Sequence, residues 1–178
     1  PQRRIEAADL PSPEVKLNIM LDAIKRLSDA GYHYVGMDHF AKTSDDLARA
    51  QRQGRLHRNF QGYSTRPDCD LIGLGMSSIS HVGSTFSQNA RDLPTYYAAL
   101  DAGRLPVVRG LTLDDDDLIR ADAIQQLMCH GVLDIASFER RHQLDFNEYF
   151  ADELARLRDI ERDGLIEVGV NCLRVTSR

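Results

Sequence analysis

Residues 12–38 read SPEVKLNIMLDAIKRLSDAGYHYVGMD, and this stretch decides the fold class. Ser12 is a helix N-cap, and Pro13 follows at the first helical position, where a missing amide hydrogen costs nothing. Leu17, Met20, Leu21, Ile24 and Leu27 recur at helical spacing, and Gly31 supplies a left-handed stop. Tyr32 to Asp38 is short and rich in aromatic and branched residues, which suits a buried strand that follows the helix directly. A helix running straight into such a strand is an αβ unit of the kind that builds parallel sheets.

Downstream, Thr43-Ser44-Asp45-Asp46 opens a shorter helix through Leu47, Ala48 and Ala50 that stops at Gly54. Residues 55–70 follow no period and read as a loop; loops of that length are functional or disordered. Leu71 to Ser80 is predicted as a second strand, with Gly73 and Gly75 leaving room for close approach of a backbone or ligand. A helix with Pro94 in its first turn starts near Asp92, carries Tyr96, Tyr97 and Leu100, and ends at Gly103, while Pro106 and Gly110 mark a boundary. From Thr112 to Gly164 the chain reads as three helices. Thr112 with Asp115 resembles a capping box for the first; Ile135 to His142 is the second; Asp145 with Glu148 caps the third, whose Tyr149, Phe150, Leu154, Leu157 and Ile160 form one stripe. Leu165 to Val168 and Leu173 to Thr176 make a β-hairpin, so three helices and a hairpin give a winged-helix outline.

The 178 residues and 20.1 kDa suffice for one sizeable core with a small appendage. With 22 Lys+Arg against 27 Asp+Glu, the net charge is -5, which argues against nonspecific grip on nucleic acid or an anionic membrane. No apolar run is long enough for a membrane span, and the chain reads as soluble. The third helix makes the same point locally: Asp145, Glu148, Asp152, Glu153, Asp159, Glu161 and Asp163 outnumber Arg156, Arg158 and Arg162, so the winged-helix outline is a packing or docking module rather than a DNA reader. The acids at 114–117 lack the alternating spacing of a calcium loop and suit a helix N-terminus instead. Cys69, Cys129 and Cys172 lie too far apart for a metal knuckle or an iron-sulfur run, and an odd number of thiols points to a reducing cytosol. The chain begins at Pro1 rather than methionine, so it is read as a piece of a longer product.

Two stretches carry candidate chemistry. Met37-Asp38-His39-Phe40 falls where a parallel strand would end, which is where open α/β sheets and barrels place ligands; a carboxylate beside an imidazole orients it or takes its proton, and a structural role remains equally open. Arg58-Asn59-Phe60-Gln61-Gly62-Tyr63 combines a cation, amides and aromatic rings, chemistry suited to a polar cofactor or an aromatic acid, with a solvated loop as the alternative.

Taken in order, Gly36-Met37-Asp38-His39-Phe40-Ala41, Leu56-His57-Arg58-Asn59-Phe60-Gln61-Gly62-Tyr63 and Asp70-Leu71-Ile72-Gly73-Leu74-Gly75-Met76-Ser77-Ser78-Ile79-Ser80 closely resemble the bacterial oxygen-independent coproporphyrinogen III oxidase (dehydrogenase) family. The resemblance continues through Tyr96-Tyr97, Arg109-Gly110 and Asp163-Gly164-Leu165. It implies a radical S-adenosylmethionine (SAM) enzyme with a partial parallel (β/α) barrel, a [4Fe-4S] cluster and a mostly helical C-terminal domain. The implied reaction converts two propionates of coproporphyrinogen III to the vinyl groups of protoporphyrinogen IX: the cluster reductively cleaves SAM to a 5'-deoxyadenosyl radical, which abstracts hydrogen from the propionate before carbon dioxide and an electron leave. The family's CxxxCxxC motif and glycine-rich SAM segment match nothing in this sequence. The resemblance therefore identifies the chain as a C-terminal portion, without cluster ligands or catalytic residues of its own and inactive alone.

Residue by residue, the resemblance gives Ile79 as a position whose neighbourhood contacts SAM, with Phe60 and Gln61 lining the same cavity. Asp38, His39 and Arg58 are candidates for substrate, Arg58 by pairing with a propionate. The implied architecture is α+β and helix-rich: residues 1–110 end the barrel and wrap it, and 111–178 form the helical winged-helix-like domain. Outside its barrel the first strand is expected to expose edges that favour self-association; the electron donor is left unassigned. A related haem chaperone carries Ser-Asn-Tyr/Phe-Ala, His-Asn-x-x-Tyr-Trp and Gly-Ala-His-Ser in the corresponding segments. Here Asp38-His39, the absence of tryptophan and Ser78-Ile79-Ser80 favour the oxidase over it. An acidic winged-helix interaction module is the alternative from another class.

Overall fold

In a computed structural model, residues 6–67 and 69–176 are described; Pro1 and Asp68 lie outside them. The chain divides into two compact units, Pro1–Arg55 and Leu56–Arg178. In the first, helix α1 (Pro13–Asp29) leads into strand β1 (Tyr32–Gly36), then β2 (His39–Lys42) and helix α2 (Asp46–Arg52). Ser12 Oγ accepts the Val15 amide at 3.3 Å and Asp45 caps α2 through the Leu47 amide, so both predicted helix starts are present.

The helix-to-strand order is also present, but β1 pairs antiparallel with β2. Met37 takes a left-handed φ of 53° and Gly36 a φ of 148°, turning the chain where the sequence suggested a strand end. The Tyr34 hydroxyl donates to the Met37 carbonyl at 2.9 Å and fixes that turn. Val35, Ala41, Ala48 and Ala50 are buried. Gln51 latches α2 onto β1, its amide donating to the Val35 carbonyl and its oxygen meeting His33 Nε2, both at 2.8 Å.

The second unit begins with a hairpin, β3 (His57–Asn59) and β4 (Gly62–Ser64), in the stretch predicted as loop. Three strands, β5 (Ile79–Val82), β6 (Thr85–Asn89) and β7 (Val107–Thr112), form an antiparallel sheet in that order, with helix α3 (Leu93–Asp101) connecting β6 to β7. The predicted strand over 71–80 is a strand only from Ile79. Leu71 makes a single bridge to His81, and residues 72–78 are held as a loop by groups that bond its backbone elsewhere.

Helix α4 (Asp115–His130) starts at Asp114, whose carboxylate accepts the Asp117 amide while Asp117 reaches back to the Asp114 amide. The capping box is thus two residues later than Thr112 and Asp115 suggested, because Thr112 is still extended and paired with Thr85 in the sheet. Strand β8 (Val132–Asp134), helix α5 (Ile135–His142), helices α6 (Phe146–Tyr149) and α7 (Ala151–Arg162), and strands β9 (Ile166–Val168) and β10 (Cys172–Val175) complete the chain. The predicted hairpin gains β8 on its far side, giving the sheet order β8-β10-β9. The long third helix is broken at Phe150 (φ -103°, ψ 24°), whose ring joins the core 4.8 Å from Phe146. Phe138 and Leu133, both 0% exposed, centre that core with Ile135, Phe146, Phe150 and Leu173. The result is the α+β, helix-rich, winged-helix-like arrangement expected.

One polar junction ties α4 to α5: Asp122 accepts from Arg141 at 2.6 Å and lies 2.7 Å from His142 Nε2. Burial favours the neutral carboxyl, but hydrogen bonds from His142, Arg141 and Gln126 outweigh it and hold Asp122 below its ordinary range. A depressed folded-state value stabilises the fold above the unfolded-state value and ceases to as pH falls through the folded one. The thermal midpoint of the wild type should therefore exceed that of Asp122→Asn at neutral pH. The gap should close as pH falls below about 4; a gap that stays constant to pH 2 would refute the linkage.

Candidate functional site

The site is built on the β3-β4 turn and the 72–79 segment. Gly73 sits where a Cβ would lie 2.7 Å from the Ile79 carbonyl oxygen and 2.9 Å from its carbon, so the missing side chain admits the chain's own backbone at Ile79. Asn89, 7% exposed, donates its amide to the Gly73 and Gly75 carbonyls at 3.3 and 2.9 Å. The Gly73 amide donates to Ser80 Oγ, the Gly75 amide to the Tyr96 hydroxyl, and the Ser77 amide to the Ala90 carbonyl. With its backbone bonds committed inward, the loop turns Ile72, Leu74 and Met76 outward, where all three are exposed.

The β5-β6-β7 register sets the face beside that loop. Ile79, Gln88 and Arg109 form one cross-strand row and His81, Phe86 and Leu111 the next on the same side. His81 stacks on Phe86 with centroids 4.1 Å apart, and Phe60 meets Phe86 edge-on at 5.2 Å. Phe60 is 57% exposed. Gln61, beside it at the turn, donates its backbone amide to Asn59 Oδ1 at 2.9 Å, and its side-chain amide has no hydrogen bond among the described residues. The predicted residues Phe60, Gln61 and Ile79 thus share one neighbourhood, joined through Phe86 and His81, which sequence reasoning missed because only the strand register reveals them.

Arg58 is placed differently. Its guanidinium stands 4.9 Å from the Tyr63 ring and its Nη1 is buried without a hydrogen-bond partner among the described residues. Its backbone is fastened to α4: the Arg58 amide donates to Gln125 Oε1 at 3.1 Å and Gln125 Nε2 donates to the Arg58 carbonyl at 2.5 Å. Burial raises the pKa of Cys129 on the same helix, and the positive charge of Arg58 offsets part of that rise. Asp38 and His39 belong to the first unit, at the β1-β2 turn, with His39 Nδ1 2.8 Å from Asp38 Oδ1 and the Asp38 side chain 89% exposed. Cys129 is buried on α4, Cys172 half-buried on β10 and Cys69 exposed. Among the described residues no three His, Cys, Asp or Glu side chains gather as a metal site, so these thiols do not fit an iron-sulfur cluster. The exposed aromatic ring of Phe60, the exposed amide of Gln61 and the half-buried branched side chain of Ile79 do fit an adenosyl group.

Residues 113–178, the segment that holds helices α4 to α7 and strands β8 to β10, match the HemN C-terminal domain. The whole chain resembles the oxygen-independent coproporphyrinogen III oxidases and corresponds to their C-terminal portion: it is 46% identical to that of Escherichia coli over 177 residues, 99% of this chain and 39% of the relative. The protein of Thermostichus vulcanus is 47% identical and covered over 54% of its length. A solved structure of E. coli coproporphyrinogen III oxidase (HemN), described as a radical SAM enzyme, superposes with a TM-score of 0.93 at 45% identity, over 99% of this chain and 41% of that one. The chain therefore spans about two fifths of the length of its E. coli relative.

Proposed function

We propose that this chain is the C-terminal part of an enzyme that oxidatively decarboxylates two propionates of coproporphyrinogen III to give protoporphyrinogen IX in anaerobic porphyrin biosynthesis. The observation that carries this is the face formed by exposed Phe60 and Gln61 and half-buried Ile79 in a chain similar to such oxidases over 99% of its length. SAM, when bound, supplies the radical that takes hydrogen from the propionate. Phe60 and Ile79 offer apolar contact and keep water from the ligand, and the Gln61 amide hydrogen-bonds an adenosyl or carboxylate group. Arg58 is assigned to a substrate propionate, on the strength of its unsatisfied Nη1. Asp38 and His39 are weaker substrate candidates, since the Asp38 side chain points into solvent.

A [4Fe-4S] cluster belongs to the part of the protein outside this chain, as does the rest of the barrel. Val15, Leu17, Ile19, Met20 and Leu21 on α1 are exposed, which supports a barrel partner for that helix and self-association where the partner is missing. Barrel-derived segments end near residue 110 and the helical domain follows. Among the described residues no helix is long and apolar enough to cross a membrane, and the three free thiols support a cytosolic location.

Gln61→Ala in the complete enzyme tests the site. The KM for SAM should rise about three- to tenfold, the worth of one hydrogen bond, with the iron and sulfide content unchanged. Unaltered turnover at limiting SAM would remove Gln61 from the site.

A further inference from the structure

The geometry points to Arg109 as the anchor for a carboxylate of the tetrapyrrole substrate on this face, an inference that rests on the function proposed above. Arg109 lies on β7, every residue of which is exposed, in the same row as Gln88 and Ile79. Two strand spacings separate its backbone from that of Ile79, about 10 Å. Its Nε donates to Gln88 Oε1 at 2.8 Å, and Gln88 Nε2 donates in turn to the Ser77 carbonyl at 3.0 Å. Both ends of the Gln88 amide are committed, so its oxygen must face the guanidinium and Arg109 is held by Nε alone.

That leaves Nη1 and Nη2 as an open fork, the arrangement a carboxylate takes in a bidentate pair. Among the described residues no carboxylate forms an ion pair with Arg109. A protein with more acids than bases that leaves this guanidinium unpaired, yet places it one row from the stacked His81 and Phe86 rings, with Phe60 edge-on to Phe86, offers a cation next to an aromatic surface. Coproporphyrinogen III has the matching chemistry, pyrrole rings edged by propionates. SAM also has a carboxylate next to a ring system, and the two are separated by kinetics.

The test uses the complete, anaerobically reconstituted enzyme with Arg109→Gln and Arg109→Lys. The glutamine variant should raise the KM for coproporphyrinogen III about tenfold or more, and lysine, which keeps the charge and loses the fork, should fall between. The KM for SAM and the iron content should match the wild type. An unchanged KM for the porphyrinogen overturns the role of Arg109 and leaves the proposed function standing. A rise in the KM for SAM instead assigns the fork to SAM and overturns the propionate. A wild-type enzyme that binds coproporphyrinogen III without converting it, with binding equal in all variants, overturns both.

Discussion

Phe138→Ala is expected to cost about 3–5 kcal/mol of stability, which for a chain of this size lowers the thermal midpoint by roughly 6–20 °C. Phe138 is fully buried, and its ring is 5.6 Å from Phe146 at 87°, 5.9 Å from Phe150 and 4.4 Å from His142. Three rings and Leu133, Ile135 and Leu173 surround it, so truncation leaves a cavity that the short helices α5 and α6 close only by moving together. Phe138→Leu refills part of the volume and should recover about half the loss. Melting followed by circular dichroism measures both, and a loss under about 1 kcal/mol for the alanine variant would mean that the aromatic cluster is not the centre of this core.

Gly73→Ala should be the most damaging single methyl group near the site. Its Cβ would fall inside contact distance of the Ile79 carbonyl and 2.9 Å from Ser78 Cβ, both too fixed to yield, so either the 72–78 loop or the start of β5 must move. Overpacking of this kind costs about 1–3 kcal/mol. In the complete enzyme the displacement of Ile79 should lower kcat/KM for SAM further than Gln61→Ala does. Gly75→Ala is the control: its Cβ would meet only Ser78 Oγ at 3.8 Å, and its cost comes from a φ of 98°. Wild-type stability and SAM kinetics in Gly73→Ala would show that the loop is not seated against Ile79.

What was legible in the sequence was what neighbours in the chain decide. Ser12, Asp45, Asp92 and Asp145 are local caps and each starts a helix where it should. What was illegible depends on distant partners. Strand β6, Thr-Phe-Ser-Gln-Asn, has little apolar alternation, and it is a strand because Thr85 meets Thr112 and Phe86 meets Leu111 across α3. The Leu71–Ser78 run looked extended, yet Asn89 and Tyr96 take its hydrogen bonds and make it a loop. Phe60, Gln61 and Ile79 were singled out by family resemblance; that Phe86 and Arg109 share their face follows only from register.

Gln125 fastens the amide and carbonyl of Arg58 from within α4, although the matched C-terminal domain begins only at residue 113. That domain is thus a buttress for the turn bearing Phe60 and Gln61 rather than a detachable cap. A C-terminal domain grafted onto this chain must therefore bring an amide side chain to position 125, or the turn that bears Phe60 and Gln61 loses its footing.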